Sequence, residues 1–525
     1  MKKKTISKIG SHTYIAWCTF FLLAWTWAAW WMGDVLRIAY ERSFFSPDTS
    51  LMHWLWQQNL GFLWIIGRAL LTLYRWPLVG GLLVATMLTA SAGLFSYCLR
   101  LNRRWLWIVF LPATAWMSWT ADSGLNLYYM REPGRILAWP FLFMVVGTLA
   151  ATAAWITLSH RRKAYSCLSN STGNTGSARR RWNGLAYPAL LLLFFLIPTL
   201  LLHFRHPYLR PLTRMQVLLM QQDYQGMSDM AHEHADLSYR QLAGYYAIAL
   251  ERTGRLADQI FDIKYDFEAV HIKAYNRKPS GALNYHLIDC NFHAGLFRAA
   301  RHQAILDLTM DGPSLYTLKY LAKISLIEGD WALARKFIRI ISRAPFEEDF
   351  VSKYQPMVGR ADLVQADPEL AAILYAAPPY HVLENMYEKP AFLGYYVAQR
   401  HFKNPESLIR SAVACLYSKR MPDFLRCCQQ LVGRPLPRSI AEGLLIMAGK
   451  EPGILRAFPQ LQMDQQRYAL FLQEAAPYME DREQGSKVLF EKYRGYYPFY
   501  YFFGNIRAAH NESNDTDQHF NAGVN

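Results

Sequence analysis

Five apolar blocks, separated by short polar loops, occupy residues 13–203 and leave such a chain few folds to choose from. A bilayer's hydrocarbon core is ~30 Å thick and takes about 20 apolar residues as a helix. Inside it every backbone polar group must be satisfied within the segment. The blocks predict spans at 13–33, 76–99, 105–120, 136–158 and 185–202, the third being the shortest. The first, Thr13 to Gly33, carries no charge and is rich in Trp. It exceeds the ~7–15 apolar residues of a signal peptide, and it reads as a retained anchor.

Basic residues orient the spans. Lys2, Lys3, Lys4 and Lys8 precede the first; Arg100, Arg103 and Arg104 follow the second; Arg161, Arg162, Lys163, Arg179, Arg180 and Arg181 lie between the fourth and fifth. None of these segments holds an Asp or Glu, whereas the opposite loops mix signs. Lys/Arg excess marks the cytoplasmic side. The N-terminus is expected inside the inner membrane, and the C-terminal domain in the periplasm. Trp30, Trp31, Trp76, Trp105, Trp119 and Trp182 cluster at block ends, where aromatic rings favour the headgroup layer.

Residues 52–74 are apolar but interrupted by Gln57, Gln58, Asn59 and Arg68. Trp54, Leu55, Leu60, Leu63, Trp64, Leu70 and Leu71 recur at helical spacing, which predicts one amphipathic helix lying in the outer interface. A Ser/Asn/Gly/Thr-rich stretch over 163–183 reads as a flexible cytoplasmic linker. Its Asn170-Ser-Thr sequon faces the wrong side for glycosylation.

From 204 to 510 the pattern is helical and mixed in polarity, and 511–525 form a polar tail. Ala322-x6-Gly329-Asp-Trp331-x2-Ala334-x3-Ile338 follows tetratricopeptide logic. There a small residue admits the second helix, a Gly ends the first, an aromatic fills the turn and an Ala marks the crossing. Ala247-x6-Gly254-x-Leu256 and Gly295-x-Phe297-x2-Ala300-x3-Ala304 echo it, and a fainter copy surrounds Tyr224 and Met227. The three glycines stand 41 and 34 residues apart. Amphipathic pairs continue at 392–402, 406–417, 423–432, 440–448 and 465–472, as stacked helical hairpins would. The block from Tyr493 to Gly504 reads as a helix capping the last repeat, with docking against the membrane as the other use of so many rings. The expected fold class is all-α: about five transmembrane helices followed by an extracytoplasmic helical-repeat domain.

Chemistry is sparsely marked. Phosphate-loop, His-Glu-x-x-His, Gly-x-Ser-x-Gly and Cys-x-x-Cys sequences are absent. His232-Glu-His234 lacks an obvious third ligand, and metal sites need three or four, so neither metal nor cofactor is expected. With 7 Cys in 525 residues the chain is no small disulfide scaffold. Cys290, Cys415, Cys427 and Cys428 would face an oxidising compartment, where a disulfide is open. The net charge of +16 raises nucleic acid as a partner. However, 13 of the 56 basic residues sit in the three cytoplasmic segments, where anionic lipid accounts for them, and no nucleic-acid module appears. The expected partners are the lipid bilayer and envelope proteins.

Asp34 follows Gly33 just outside the first span, with Arg37, Glu41, Arg42 and Asp48 beyond it and then the interfacial stretch. This order resembles the opening of membrane glycosyltransferases that use lipid-linked sugars. The resemblance implies that Asp34 acts as base or metal ligand, with Asp122 or Glu132 of the second outer loop as partner. Acids meeting within ~6 Å would shift each other's pKa. The chain departs from those enzymes in having fewer spans. Taken whole, it resembles an uncharacterised family of Bacteroidetes-type envelope proteins, through its basic N-terminus, the Asn59-to-Arg68 stretch before Trp76-Pro-Leu-Val-Gly-Gly, the repeat domain and the aromatic-Gly end from Tyr496 to Gly504. That implies location and architecture, and a scaffold as the leading function with a lipid-linked-substrate transferase as the alternative.

Overall fold

The computed structural model describes residues 16–57, 61–99, 110–123, 195–205, 207–236, 239–265, 281–377 and 405–504. The expected fourth span at 136–158, the linker, Glu132, the pair segment 392–402 and the tail at 511–525 lie outside the described residues. Among those described the chain is helical, with no β-strand. It divides into two compact units. Unit 1 comprises 1–210 with the short segments 311–316 and 341–348, and unit 2 comprises 211–310, 317–340 and 349–525.

In unit 1, helix α1 runs over 16–26 and widens into a π-turn at Trp27–Trp31, closed by Met32 N–H on Trp27 O at 3.1 Å. Helix α2 (Gly33–Arg42) follows directly. A short extended stretch leads to α3 (Thr49–Trp56), then α4 (Gly61–Leu71), a 3-10 turn at Thr72–Arg75 and α5 (Pro77–Leu99). Pro77 opens α5 at the position where a missing N–H costs nothing. Helices α6 (Leu111–Ser123) and α7 (Phe195–Arg205) complete the described part. Small residues let the π-turn after α1 approach α5 closely. A Cβ on Gly81 would stand 2.9 Å from the Ala29 Cβ. The Trp25 indole N–H reaches Leu78 O at 3.0 Å.

Two expectations are not met in full here. Among the described residues one helix is long and apolar enough to cross a membrane, over Pro77–Leu94. The first block is helical over 16–26 before its π-turn; the described part of the third is helical over Leu111–Ser123; the described part of the fifth runs on through Arg205. The five-span bundle is therefore not established. Secondly, 52–74 is not one helix. It breaks into α3 and α4, because α4 doubles back so tightly that a Cβ at Gly61 would meet the Leu55 and Trp56 carbonyl oxygens at 2.3 and 2.5 Å. Only glycine fits there. The apolar face holds in part: Leu55, Leu63, Trp64 and Leu71 are buried, while Trp54 is exposed.

Unit 2 is built from helical hairpins. They are α8 (Leu209–Met220) with α9 (Tyr224–Glu233), α10 (Arg240–Arg252) with the short α11 (Leu256–Gln259), α12 (Gly281–His293) with α13 (Phe297–Asp311), and α14 (Leu315–Ile327) with α15 (Trp331–Ile341). Shorter helices α16 (Glu348–Tyr354), α17 (Ala361–Ala366) and α18 (Pro368–Ala376) follow. Then come α19 (Pro405–Tyr417), α20 (Met421–Cys428), α21 (Arg438–Ala448), α22 (Gly453–Ala457), α23 (Gln465–Ala475), α24 (Arg482–Tyr493) and α25 (Tyr497–Phe503).

One turn recurs. At Gly329 (φ +73°) the chain enters the left-handed region; Gly329 N–H bonds Leu326 O at 3.2 Å and Asp330 N–H bonds Ser325 O at 2.9 Å. That is the Schellman ending of a helix. The same pair of bonds closes the hairpins at Gly254, Gly295, Gln222 and Lys419. The expected crossing residues Ala322, Ala334, Ala300 and Ala304 are fully buried.

The stacking is not a simple run of neighbours. Arg410 pairs with Glu251, Arg438 N–H donates to Asp258 Oδ1 at 2.9 Å, and Gly495 N–H donates to Phe261 O at 3.2 Å. The last hairpins thus pack on the second one. Tyr496, Tyr497, Phe499, Tyr500 and Phe503 are buried, Tyr497 lying 5.0 Å from the Phe261 ring. Glu442 accepts the Tyr497 N–H at 2.7 Å, at the N-terminus of α25. The aromatic block packs within its own unit, against the second hairpin, where the first of the two readings expected a cap on the last repeat.

Candidate functional site

The candidate is the loop after α1. Helix α2 turns Val35, Leu36, Ile38 and Ala39 inward, which carries Tyr40, Glu41 and Arg42 into the unit as well. Of the charges after Gly33, Glu41 and Arg42 are buried, whereas Asp34, Arg37 and Asp48 are part-exposed. Tyr40 Oη donates to Glu347 Oε1 at 2.5 Å and lies 3.2 Å from Pro345 O. Burial first, then the Glu347 carboxylate, push the Tyr40 hydroxyl well above its ordinary pKa. The Arg42 guanidinium stacks 4.9 Å from the Tyr316 ring. Arg68, fully buried on α4, donates from Nη1 to Phe44 O at 3.1 Å.

The extended stretch between α2 and α3 is pinned at both ends. Ser43 O accepts Leu315 N–H at 3.1 Å, and Asp48 pairs with Arg343. Phe346 sits at φ +67° and meets the Trp76 ring edge-on at 4.8 Å. A bulky residue in the left-handed region persists only where its surroundings fix it. The cleft between Tyr40, Ser43, Arg68, Thr72, Leu315 and Pro345 leaves room for little more than one water molecule, far less than a ligand pocket needs.

Asp34 stands half-buried in the first turn of α2, where the helix dipole favours a carboxylate. Asp122 lies in the last turn of α6, and its side chain is outside the described residues, as is the whole of Glu132. The acid pair thus remains a proposal. His232 engages the Tyr246 hydroxyl at 2.9 Å and faces Asp262 at 3.6 Å. Among the described residues no three His, Cys, Asp or Glu side chains gather as a metal would require.

Sequence reading missed an ionic cluster in unit 2. Glu369 on α18 accepts Lys323 Nζ at 2.6 Å, Tyr354 Oη at 2.8 Å and Gln222 Nε2 at 3.0 Å. Burial alone would raise this carboxyl; the Lys323 ammonium and the Tyr354 hydroxyl outweigh it and hold it at about 2. Beside it Lys353 meets Asp367 at 3.0 Å, and Asp367 caps α18 through the Leu370 N–H. Nearby, Asp289 receives Tyr245 Oη at 2.5 Å and Tyr320 Oη at 2.6 Å, all buried. The Glu369 donors come from residues 222, 323 and 354, so no local motif announces them.

A model of a family of unknown function, DUF6057, matches residues 128–504. No curated protein and no solved structure matches the chain.

Proposed function

The chain belongs to this family of unknown function, and from that premise we propose a membrane-anchored scaffold of the bacterial envelope. The observation that carries it is the recurrent hairpin of unit 2, with one turn geometry at Gln222, Gly254, Gly295, Gly329 and Lys419. Stacked hairpins offer extended surfaces for protein partners. The apolar α5 supports the anchor, as do Trp30, Trp56, Leu78 and Leu82, which unit 1 leaves exposed. The basic clusters support a cytoplasmic N-terminus and a repeat domain outside.

Photo-crosslinking amino acids at Ile305, Leu306 and Met463, exposed apolar positions of unit 2, test the scaffold in intact cells. Discrete adducts to the same envelope proteins are expected. Chain that stays uncoupled at all three positions would sink the reading.

A second reading keeps the transferase. Its support is Asp34 at the end of the first apolar helix, followed by α3 and α4 with Trp54, Trp56 and Phe62 exposed. Asp34→Ala decides it: loss of complementation at normal protein level favours catalysis, and full complementation of a deletion removes it.

A further inference from the structure

We propose that Cys415 and Cys427 are a disulfide-forming pair, closed across the α19–α20 hairpin by exchange with an oxidised dithiol protein or a small-molecule disulfide. Cys415 sits on α19 and Cys427 on α20, joined through the left-handed Lys419. The facing register follows from Gly443, where a Cβ would touch both Leu416 Cδ2 (2.6 Å) and the Phe424 ring (3.0 Å). Leu416 and Phe424 therefore stand opposite one another. Cys427 is one turn beyond Phe424 on the same face, and Cys415 lies in the last turn of α19, level with Leu416. The two thiols meet there, the Cys415 S–H donating to the Cys427 sulfur. Both are thiols in this structure, and both are buried.

The contact makes the two sulfurs unequal. Accepting from Cys415 draws the Cys427 thiol below its ordinary pKa, whereas that same bond and then burial raise Cys415. The neighbouring Cys428 is raised by burial. The thiolate is the attacking species in exchange. The Cys427 thiolate attacks one sulfur of the incoming disulfide and expels the other as a thiolate, which takes a proton. Cys415 then loses its own proton and attacks the Cys427 sulfur, breaking the mixed disulfide and releasing the second thiol. Two cysteine thiols become one disulfide, and the oxidant is reduced to two thiols. Because both groups are buried, exchange needs the hairpin before it seats or a local opening of it.

Formation in the cell rests on the proposed periplasmic placement of unit 2, whereas the pairing itself rests on hairpin geometry alone. The test separates the two. Full-length protein in detergent is incubated with oxidised glutathione, alkylated with N-ethylmaleimide, digested and analysed by mass spectrometry. A Cys415–Cys427 linked peptide is expected, lost in Cys415→Ser and in Cys427→Ser and retained in Cys428→Ser. Membranes from cells quenched directly with the alkylating agent should show the same link. If glutathione yields no such link, or only one through Cys428, the pairing is overturned. If the link forms with glutathione while quenched cells carry both cysteines alkylated, the pairing stands and the periplasmic placement fails.

Discussion

Glu369 is almost wholly buried, yet it loses its proton more readily than an ordinary glutamate, because Lys323 Nζ lies 2.6 Å away and the Tyr354 hydroxyl donates to its other oxygen. With the folded value at about 2 and the ordinary one at 4.5, the ionised carboxylate is worth about 3 kcal/mol to the fold. That contribution is complete above pH 4.5 and disappears as the pH falls through about 2. Glu369→Gln removes the buried carboxylate from the part-buried Lys323, so a loss of about 3 kcal/mol is expected at pH 7. Thermal melts across this acid range check it: the variant should lose the steep part of the pH dependence, and parallel curves would count against the assignment. A second expectation concerns Gly495, at φ +80° with a would-be Cβ only 2.1 Å from Asp262 Oδ1. Gly495→Ala is expected to cost at least ~2 kcal/mol, read by denaturant melts of the purified chain. Neither residue stands out in the sequence. A glutamate after Asp-Pro reads as a helix start, and the donors that give it meaning lie far along the chain.

Among helices and turns, legibility was higher. The glycines at 254, 295 and 329 were readable because a helix ending in the left-handed region favours the residue without a Cβ. The small residues at Ala300, Ala322 and Ala334 marked the crossings for the same steric reason. Gln222 and Lys419 make the same turn without that signature, so the first of these hairpins was seen faintly and the second by the amphipathic pattern of its helices alone. Helix α15 offers a test. Ala334 is fully buried at its crossing, and Ala334→Leu should destabilise unit 2 by ~1–3 kcal/mol through overpacking, whereas Ala332→Leu at an exposed position should shift the midpoint little. Equal effects on urea midpoints would contradict the crossing. In unit 1 the break between α3 and α4 escaped the periodicity, since a hydrophobic stripe continues across a turn that only Gly61 makes possible.

For the molecule as a whole, the all-helical class and the succession of apolar blocks and hairpins could be read from the residues, while the number of crossings could not. Basic residues and hydropathy carry the topology proposal, and protease added to spheroplasts checks it: unit 2 should be digested from outside, as in a lysed control. Removing residues 482–525, which include α24 and α25, is expected to raise amide exchange around Ile260 as well as near the cut, since Phe261 O accepts Gly495 N–H and the Phe261 ring faces Tyr497. Unchanged protection at Ile260 would mean that the second hairpin stands alone.

That fold-back also bears on biosynthesis. A ribosome delivers Phe261 long before Tyr497 is made, so the early hairpin must wait, half-dressed, for the final stretch of translation. Nascent chains stalled ahead of the aromatic end would leave greasy surface uncovered, and adding or deleting a single hairpin is expected to disturb this closure as it would not in an open array.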